Sequence, residues 1–218
     1  VYKEQTTLTG SSYTYTGDTT VSAGSLSFSG GNITAFSSGK INLNNFTNMS
    51  FNNTSALSIA GDIDGNGRII SNAGKVTLSG QNSYTGGTSV TGGTLSLLNT
   101  GAKPATGNFS VSAGATLALG VGSSPGSFSS ADVDSLFAGT LAGVSNSANS
   151  NVGIDTTAGN FTYATSVAAT TKGLTKTGSN TLTLTGVNEY SGGTIIQQGK
   201  ILISGGGGII GTSTIHSG

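Results

Sequence analysis

The residues best suited to chemistry in this 218-residue chain form one short acidic pattern: Asp62, Asp64 and Asn66, with Gly65 and Gly67 interleaved. Side-chain oxygens at alternate positions around a glycine turn make up the first half of a calcium-binding loop. The second half is missing. Ala73 stands where such a loop needs a bidentate Glu, and no helical pattern follows. The pattern therefore reads first as a polar turn whose Asp and Asn side chains satisfy local backbone. Asp62, Asp64 and Asn66 are kept as a calcium candidate, and no other cofactor is expected. A second acid pair, Asp132 and Asp134, lies between Ser130 and Leu136-Phe137 in a stretch that reads as one capped helical turn or a side loop.

Other chemistry finds little support. Glycosidic cleavage needs two carboxyls facing each other across a cleft, and eight scattered acids nominate no such pair. A polysaccharide lyase needs an acidic calcium cluster with a basic proton abstractor, and Lys and Arg are spread too thinly to supply one. His216, the single histidine, sits two residues from the last position and anchors no Ser/His/Asp relay. Gly205 to Gly208 lacks the lysine of a phosphate loop and reads as a turn. No catalytic residue is expected. Tyr15, Tyr84 and Tyr190 would offer sugar-stacking platforms if they faced solvent, but their fixed place just ahead of a glycine turn favours a packing or corner role.

Only 7% of residues are charged, eight basic against eight acidic, with Arg68 the single arginine. That leaves no electrostatic footprint for nucleic acid. No stretch approaches the roughly 18 to 20 apolar residues of a membrane-spanning helix, so no membrane insertion of this segment is expected. The opening Val1-Tyr2-Lys3-Glu4 is not an apolar signal, and the chain is expected to be mature or a piece of something longer. The absence of cysteine excludes disulfide frameworks and thiol chemistry.

The elements that must position these residues are strands. Gly, Ser, Thr and Asn supply more than half the chain, a composition that alone would permit disorder. The order of residues argues otherwise. Apolar side chains recur at every second position, as in Val76/Leu78, Leu95/Leu97, Leu117/Leu119, Leu182/Leu184 and Ile201/Ile203. Period two in runs of four to six residues closed by Gly or Asn predicts many short strands and an all-β fold.

One unit occurs three times. The middle copy carries Leu78, Gly80, Tyr84, Gly86-Gly87, Thr88, Val90, Gly93, Leu95 and Leu97; the C-terminal copy repeats it at identical spacing from Leu184 to Ile203; a looser copy runs from Leu8 to Phe28. Gly80, Gly86-Gly87 and Gly93 are expected to turn the chain. A unit of about 20 to 25 residues cannot bury its own apolar face and must stack on neighbours. The expected fold is a right-handed parallel β-helix of about ten coils, a single domain over 1–218 with an irregular side loop at 121–150. The alternative is an antiparallel β-sandwich, whose hairpins are often marked by Asn-Gly or Asp-Gly turns, but Asp64-Gly65 and Asn66-Gly67 are the only such pairs present. Asn42, Asn44, Asn45, Asn48, Asn52 and Asn53 crowd one segment and predict asparagine ladders along stacked turns.

The succession Leu182 to Gly186, Asn188 to Thr194 and Gly199 to Ile203, with its lead-in Lys172 to Leu182, resembles the autotransporter-associated β-strand repeat. Residues 67–99 resemble it closely and 8–30 less so, while 151–172 is similar to spacers between such repeats. The resemblance implies a parallel β-helix outside a Gram-negative cell and a scaffold without a catalytic group. The C-terminal translocator barrel of an autotransporter is not among these residues. On that resemblance the chain is a passenger fragment, a released passenger, or a subunit attached by another route. The function expected is a non-enzymatic surface stalk, adhesin or scaffold, whose partners are a host or neighbouring-cell glycan or protein or copies of itself. A self-assembling surface-layer or fibre subunit and a carbohydrate-active β-helix enzyme are the alternatives.

Overall fold

A computed structural model describes residues 5–9, 13, 16–30, 35–36, 39–210 and 215–217. Among the described residues every strand pairs parallel to its neighbours, and strands adjacent in space are a full turn apart in sequence. This is a right-handed parallel β-helix, and the antiparallel sandwich is excluded. A nine-stranded sheet runs from Ala35–Phe36 to Ile215–Ser217, and a seven-stranded sheet from Gln5–Leu8 to Val144–Asn146. Three-stranded sheets complete the coil: one holds Thr19–Val21, Ile41–Leu43 and Ile63–Gly65; two others begin at Phe161–Tyr163 and at Val167–Thr170. At about 4.8 Å per rung the nine stacked strands make a rod about 40 Å long.

The alternating residues form the core. Val76, Leu95, Leu117, Val152 and Leu174 stand in register up the nine-stranded sheet, and Leu78, Leu97, Leu119 and Ile154 form the parallel row two residues on. All nine are buried. On the seven-stranded sheet Phe28 lies directly below Phe51, their rings stacked at 5.2 Å. Each leucine so buried contributes roughly 2 to 3 kcal/mol of transfer free energy, which an isolated rung would not collect.

The glycines of the repeat serve two different ends. Gly87 and Gly93 take left-handed backbone, φ +82° and +64°, as expected of turns. Gly80 and Gly86 do not. They are needed because the rung below passes too close for a side chain: a Cβ on Gly86 would lie 2.4 Å from the Gly67 carbonyl oxygen, and one on Gly80 2.4 Å from that of Gly61.

The three copies of the repeat do not sit on the same faces. Equivalent strand pairs are Thr19–Val21 with Ser25–Phe28, Thr88–Val90 with Thr94–Leu97, and Thr194–Ile196 with Lys200–Ile203. The first pair occupies a three-stranded and then the seven-stranded sheet, the second the seven- and then the nine-stranded, the third the nine-stranded and then the sheet that begins at Phe161–Tyr163. Each copy is thus advanced by one face around the axis. The motif encodes a corner with its two flanking strands, and any corner of the coil accepts it.

The chain leaves the stack between residues 123 and 143, a shorter excursion than the expected 121–150, because 121–122 and 144–146 pair within the sheets. A strand Thr116–Gly122 leads to a helix, α1, Ser130–Ala138, and Val144–Asn146 rejoins the seven-stranded sheet beside Phe109–Val111. The N-cap is Ser129, one residue ahead of the serine singled out in the sequence; its backbone N–H donates to the Asp132 carboxylate at 2.8 Å and its hydroxyl accepts from the Asp132 N–H, a capping box closed by Asp. Gly139, φ +74°, ends the helix. Val133, Leu136 and Phe137 bury one side of it.

Two substitutions separate packing from backbone approach. Leu97→Ala is expected to cost about 2 to 5 kcal/mol by leaving a cavity. Gly93→Ala, whose Cβ would meet the Gly74 carbonyl oxygen at 2.2 Å, is expected to cost at least about 2 kcal/mol although it adds only a methyl group. Urea unfolding monitored by circular dichroism measures both; a Gly93→Ala protein as stable as the parent would contradict the rung spacing.

Candidate functional site

The acids named from the sequence each hold a neighbouring rung. Asp62 accepts the backbone N–H of Gln81 at 2.6 Å. Asp64 pairs with the Lys40 ammonium at 2.6 Å, which raises the lysine's pKa. The Asn66 side-chain oxygen accepts the N–H of Phe46 at 2.9 Å. Asn45 and Phe46 there both adopt left-handed backbone, φ +50° and +56°, so Asn66 pins a strained turn whose Phe46 side chain is 79% exposed. These oxygens of the calcium candidate are directed to three different partners, and one carboxylate oxygen of Asp64 is buried without any. Among the described residues no group of three or more His, Cys, Asp or Glu is placed to share a metal ion.

Asp132 is spent on the helix cap, whereas Asp134 accepts from the Tyr163 hydroxyl at 2.6 Å and the Thr165 hydroxyl at 3.3 Å. Burial, reinforced by this carboxylate, raises the Tyr163 pKa. Tyr84 and Tyr190 are buried, so neither offers a face to a sugar. Their hydroxyls bond Thr88 and Thr194, four residues on in each copy, at 2.6 and 2.8 Å. Burial pushes the Tyr190 hydroxyl up to about 12, against the pull of Thr194. Tyr15 lies outside the described residues. The backbone of His216 pairs with Ile195 on the nine-stranded sheet. A mixed polar ladder runs up one corner and takes in Asn52 of the crowded asparagines: Asn72 donates to Asn52 at 2.8 Å, Asn52 to Ser27 at 3.2 Å, and Thr91 to Asn72 at 2.6 Å, whereas Asn45 donates to the Ser22 carbonyl. The repeat's own asparagine, Asn82, joins three rungs, accepting from the Ile63 N–H and donating to the Ala102 carbonyl.

A polar cluster that sequence reasoning missed lies on the outer face of the nine-stranded sheet. Asp155, fully buried, accepts the Ser96 hydroxyl at 2.6 Å and both the N–H and hydroxyl of Thr157, at 2.9 and 2.6 Å. The Lys75 ammonium lies 3.4 Å from it and donates to the Thr177 hydroxyl at 2.6 Å. Gln197 reaches Thr94 at 3.0 Å. Strands bearing Lys75 and Thr177 are separated by three others in the sheet, about 19 Å if it were flat. Side chains of these lengths meet only because the sheet is concave outward, which brings these two strands toward each other over the polar row. Strands Thr94–Leu97 and Gly173–Thr177 are accordingly buried on both faces.

Burial alone would raise the Asp155 pKa. The Lys75 charge and the Ser96 and Thr157 hydrogen bonds together outweigh it, and the carboxyl is held below its ordinary range. Lys176, on the inner face of the strand that bears Thr177, donates to the carbonyls of Thr177, Gly178 and Gln198 at 2.7, 2.7 and 3.0 Å. Burial pushes it down to about 8, with Asp155 opposing and Lys75 adding to the shift.

Three segments, residues 5–32, 71–97 and 174–203, match the family model described as passenger-associated-transport-repeat. Over these segments the chain is similar to passenger-associated transport repeats. Each matched segment contains one of the corners described above, including the buried tyrosine–threonine bond of the second and third copies. Among curated proteins and among solved structures, none matches the chain.

Asp155→Asn is expected to destabilise the repeat rod by about 3 kcal/mol, since it leaves Lys75 and Ser96 without their buried acceptor charge. In the parent, the contribution of Asp155 is complete above the unfolded carboxyl pKa of about 3.9 and is lost as pH falls through its lower folded value. Unfolding free energies measured from pH 7 downward should therefore fall more steeply for the parent than for the variant; parallel curves would contradict this role.

Proposed function

We propose that the chain forms the rod-like, non-enzymatic part of a passenger displayed outside a Gram-negative cell, where it works as a stalk or adhesin toward glycans or proteins of host or neighbouring cells. The observation that carries this reading is the continuous parallel stack on which three passenger-associated repeats fall. Backbone ladders along the axis resist extension and leave few unpaired strand edges. The chain is rich in Ser, Thr and Asn, with equal numbers of acidic and basic residues. Asp18, Asp62, Asp64, Asp132, Asp134 and Asp155 hold backbone, hydroxyl or lysine partners, work that suits a scaffold. Among the described residues no helix is long and apolar enough to cross a membrane.

Expressed with its natural flanking sequence in a Gram-negative host, the rod is expected on the outside of intact cells, where an antibody against the folded chain labels it. Labelling that requires a broken envelope would contradict display. Incubated with pectin, alginate and host glycans, with and without calcium, the purified chain is expected to release no product; turnover would replace the scaffold with the carbohydrate-active enzyme.

A further inference from the structure

Where α1 interrupts the stack, a groove of about 380 Å³ opens between the helix and the strand Val167–Thr170. That strand pairs with Val187–Tyr190 on one side only. Lys172 lines the groove and is 8% exposed, yet its ammonium has no hydrogen-bond or ion-pair partner among the described residues. A Cβ on Gly139, the residue ending α1, would lie 3.9 Å from the Lys172 Nζ, which places the charge at the helix end of the groove. The stem of Lys172 is buried while its ammonium keeps contact with solvent, which leaves the charge open to an anion in the groove. The nearest acid in the groove, Asp134, is already held by Tyr163 and Thr165. Thr165 and Ser166 are exposed; the Thr165 hydroxyl donates to Asp134, the Ser166 hydroxyl accepts the Val187 N–H at 3.1 Å and keeps its own proton to donate, and Ala168 and Ala169 form a small apolar strip.

From this we infer that the groove is a binding site for a hydroxylated carboxylate of the size of an acidic monosaccharide. The carboxylate pairs with Lys172. Ring hydroxyls donate to Asp134 and exchange hydrogen bonds with Thr165 and Ser166, and the apolar ring face lies on Ala168 and Ala169. The volume suits one sugar ring with its ordered water. The site goes beyond the display reading, since a rod without ligand in this groove is still a rod, and failure of the one leaves the other standing.

The test is a titration of the 218-residue chain with glucuronate, followed by amide resonances in nuclear magnetic resonance, with glucose and acetate as controls. Glucuronate is expected to shift the amides of residues 134–138 and 163–172, while glucose, lacking the charge, and acetate, lacking the ring, leave them in place. Lys172→Met, which removes a charge that bonds nothing else, is expected to keep the fold and weaken glucuronate binding about tenfold or more. Absence of glucuronate shifts in the parent overturns the proposal, as does a Lys172→Met chain that binds as well as the parent. Saturation of the same amides by acetate at equal affinity also overturns it, because the groove would then select only charge.

Discussion

Each rung of this protein is held by backbone hydrogen bonds to the rungs immediately above and below, and everything else follows from how closely those rungs must approach. The spacing fixes where side chains are forbidden: Gly67 under Gly86, Gly61 under Gly80 and Gly74 under Gly93 leave no room for a β-carbon. It also puts like beside like, so that leucines stand on leucines, Phe28 on Phe51 and Asn52 on Asn72. A chain so poor in large apolar residues folds because those of its core are covered along the axis by the rungs above and below. No rung has a complete core of its own, so stability is a property of the stack.

The same regularity would produce a straight, featureless column, and two departures give this molecule its particular shape. One is the outward concavity of the nine-stranded sheet, fixed by a buried carboxylate, a lysine and several hydroxyls that reach across intervening strands. Replacing such a network by apolar side chains need not weaken the fold; what the charges supply is a geometry that apolar contacts would not specify. The other departure is helix α1, which ends the seven-stranded sheet at Val144–Asn146 and creates a groove beside a strand edge. Asn146 ties the excursion back by donating to the Leu136 carbonyl at 2.9 Å.

The fold class was legible because its two signals are local. Period-two runs such as Val76/Leu78 and the spacing from Tyr84 to Gly93 can be read within one unit, and both lead to stacked rungs. The placement of the units was not legible. Identical spacing in the middle and C-terminal copies implies equivalent positions, yet a corner motif fixes only its own bend, and irregular intervening lengths advance each copy by a face. The polar cluster was hidden for a different reason: Ser96 and Asp155 are 59 residues apart and Lys75 and Thr177 are 102 apart, with no motif at either end. Only the isolated Asp155 and Lys176 within otherwise small or apolar runs hint at buried charge. Asp62, Asp64 and Asn66, recognisable as a metal-loop fragment, also make rung-to-rung bonds that no local pattern announces.

The central claim, parallel stacking in the stated register, is tested most directly by pairwise cysteine cross-linking, which the absence of native cysteine makes unambiguous. Ser89, Ser110 and Ser145 stand in successive rungs of one column. Paired Ser→Cys substitutions at 89 with 110, and at 110 with 145, place Cα atoms one rung apart, about 5 Å, within reach of a disulfide; 89 with 145 places them about 10 Å apart, beyond it. The account predicts rapid disulfide formation under mild oxidation in both single-rung pairs and none in the two-rung pair. Equal cross-linking of all three, or failure of the adjacent pairs in folded protein, would contradict it.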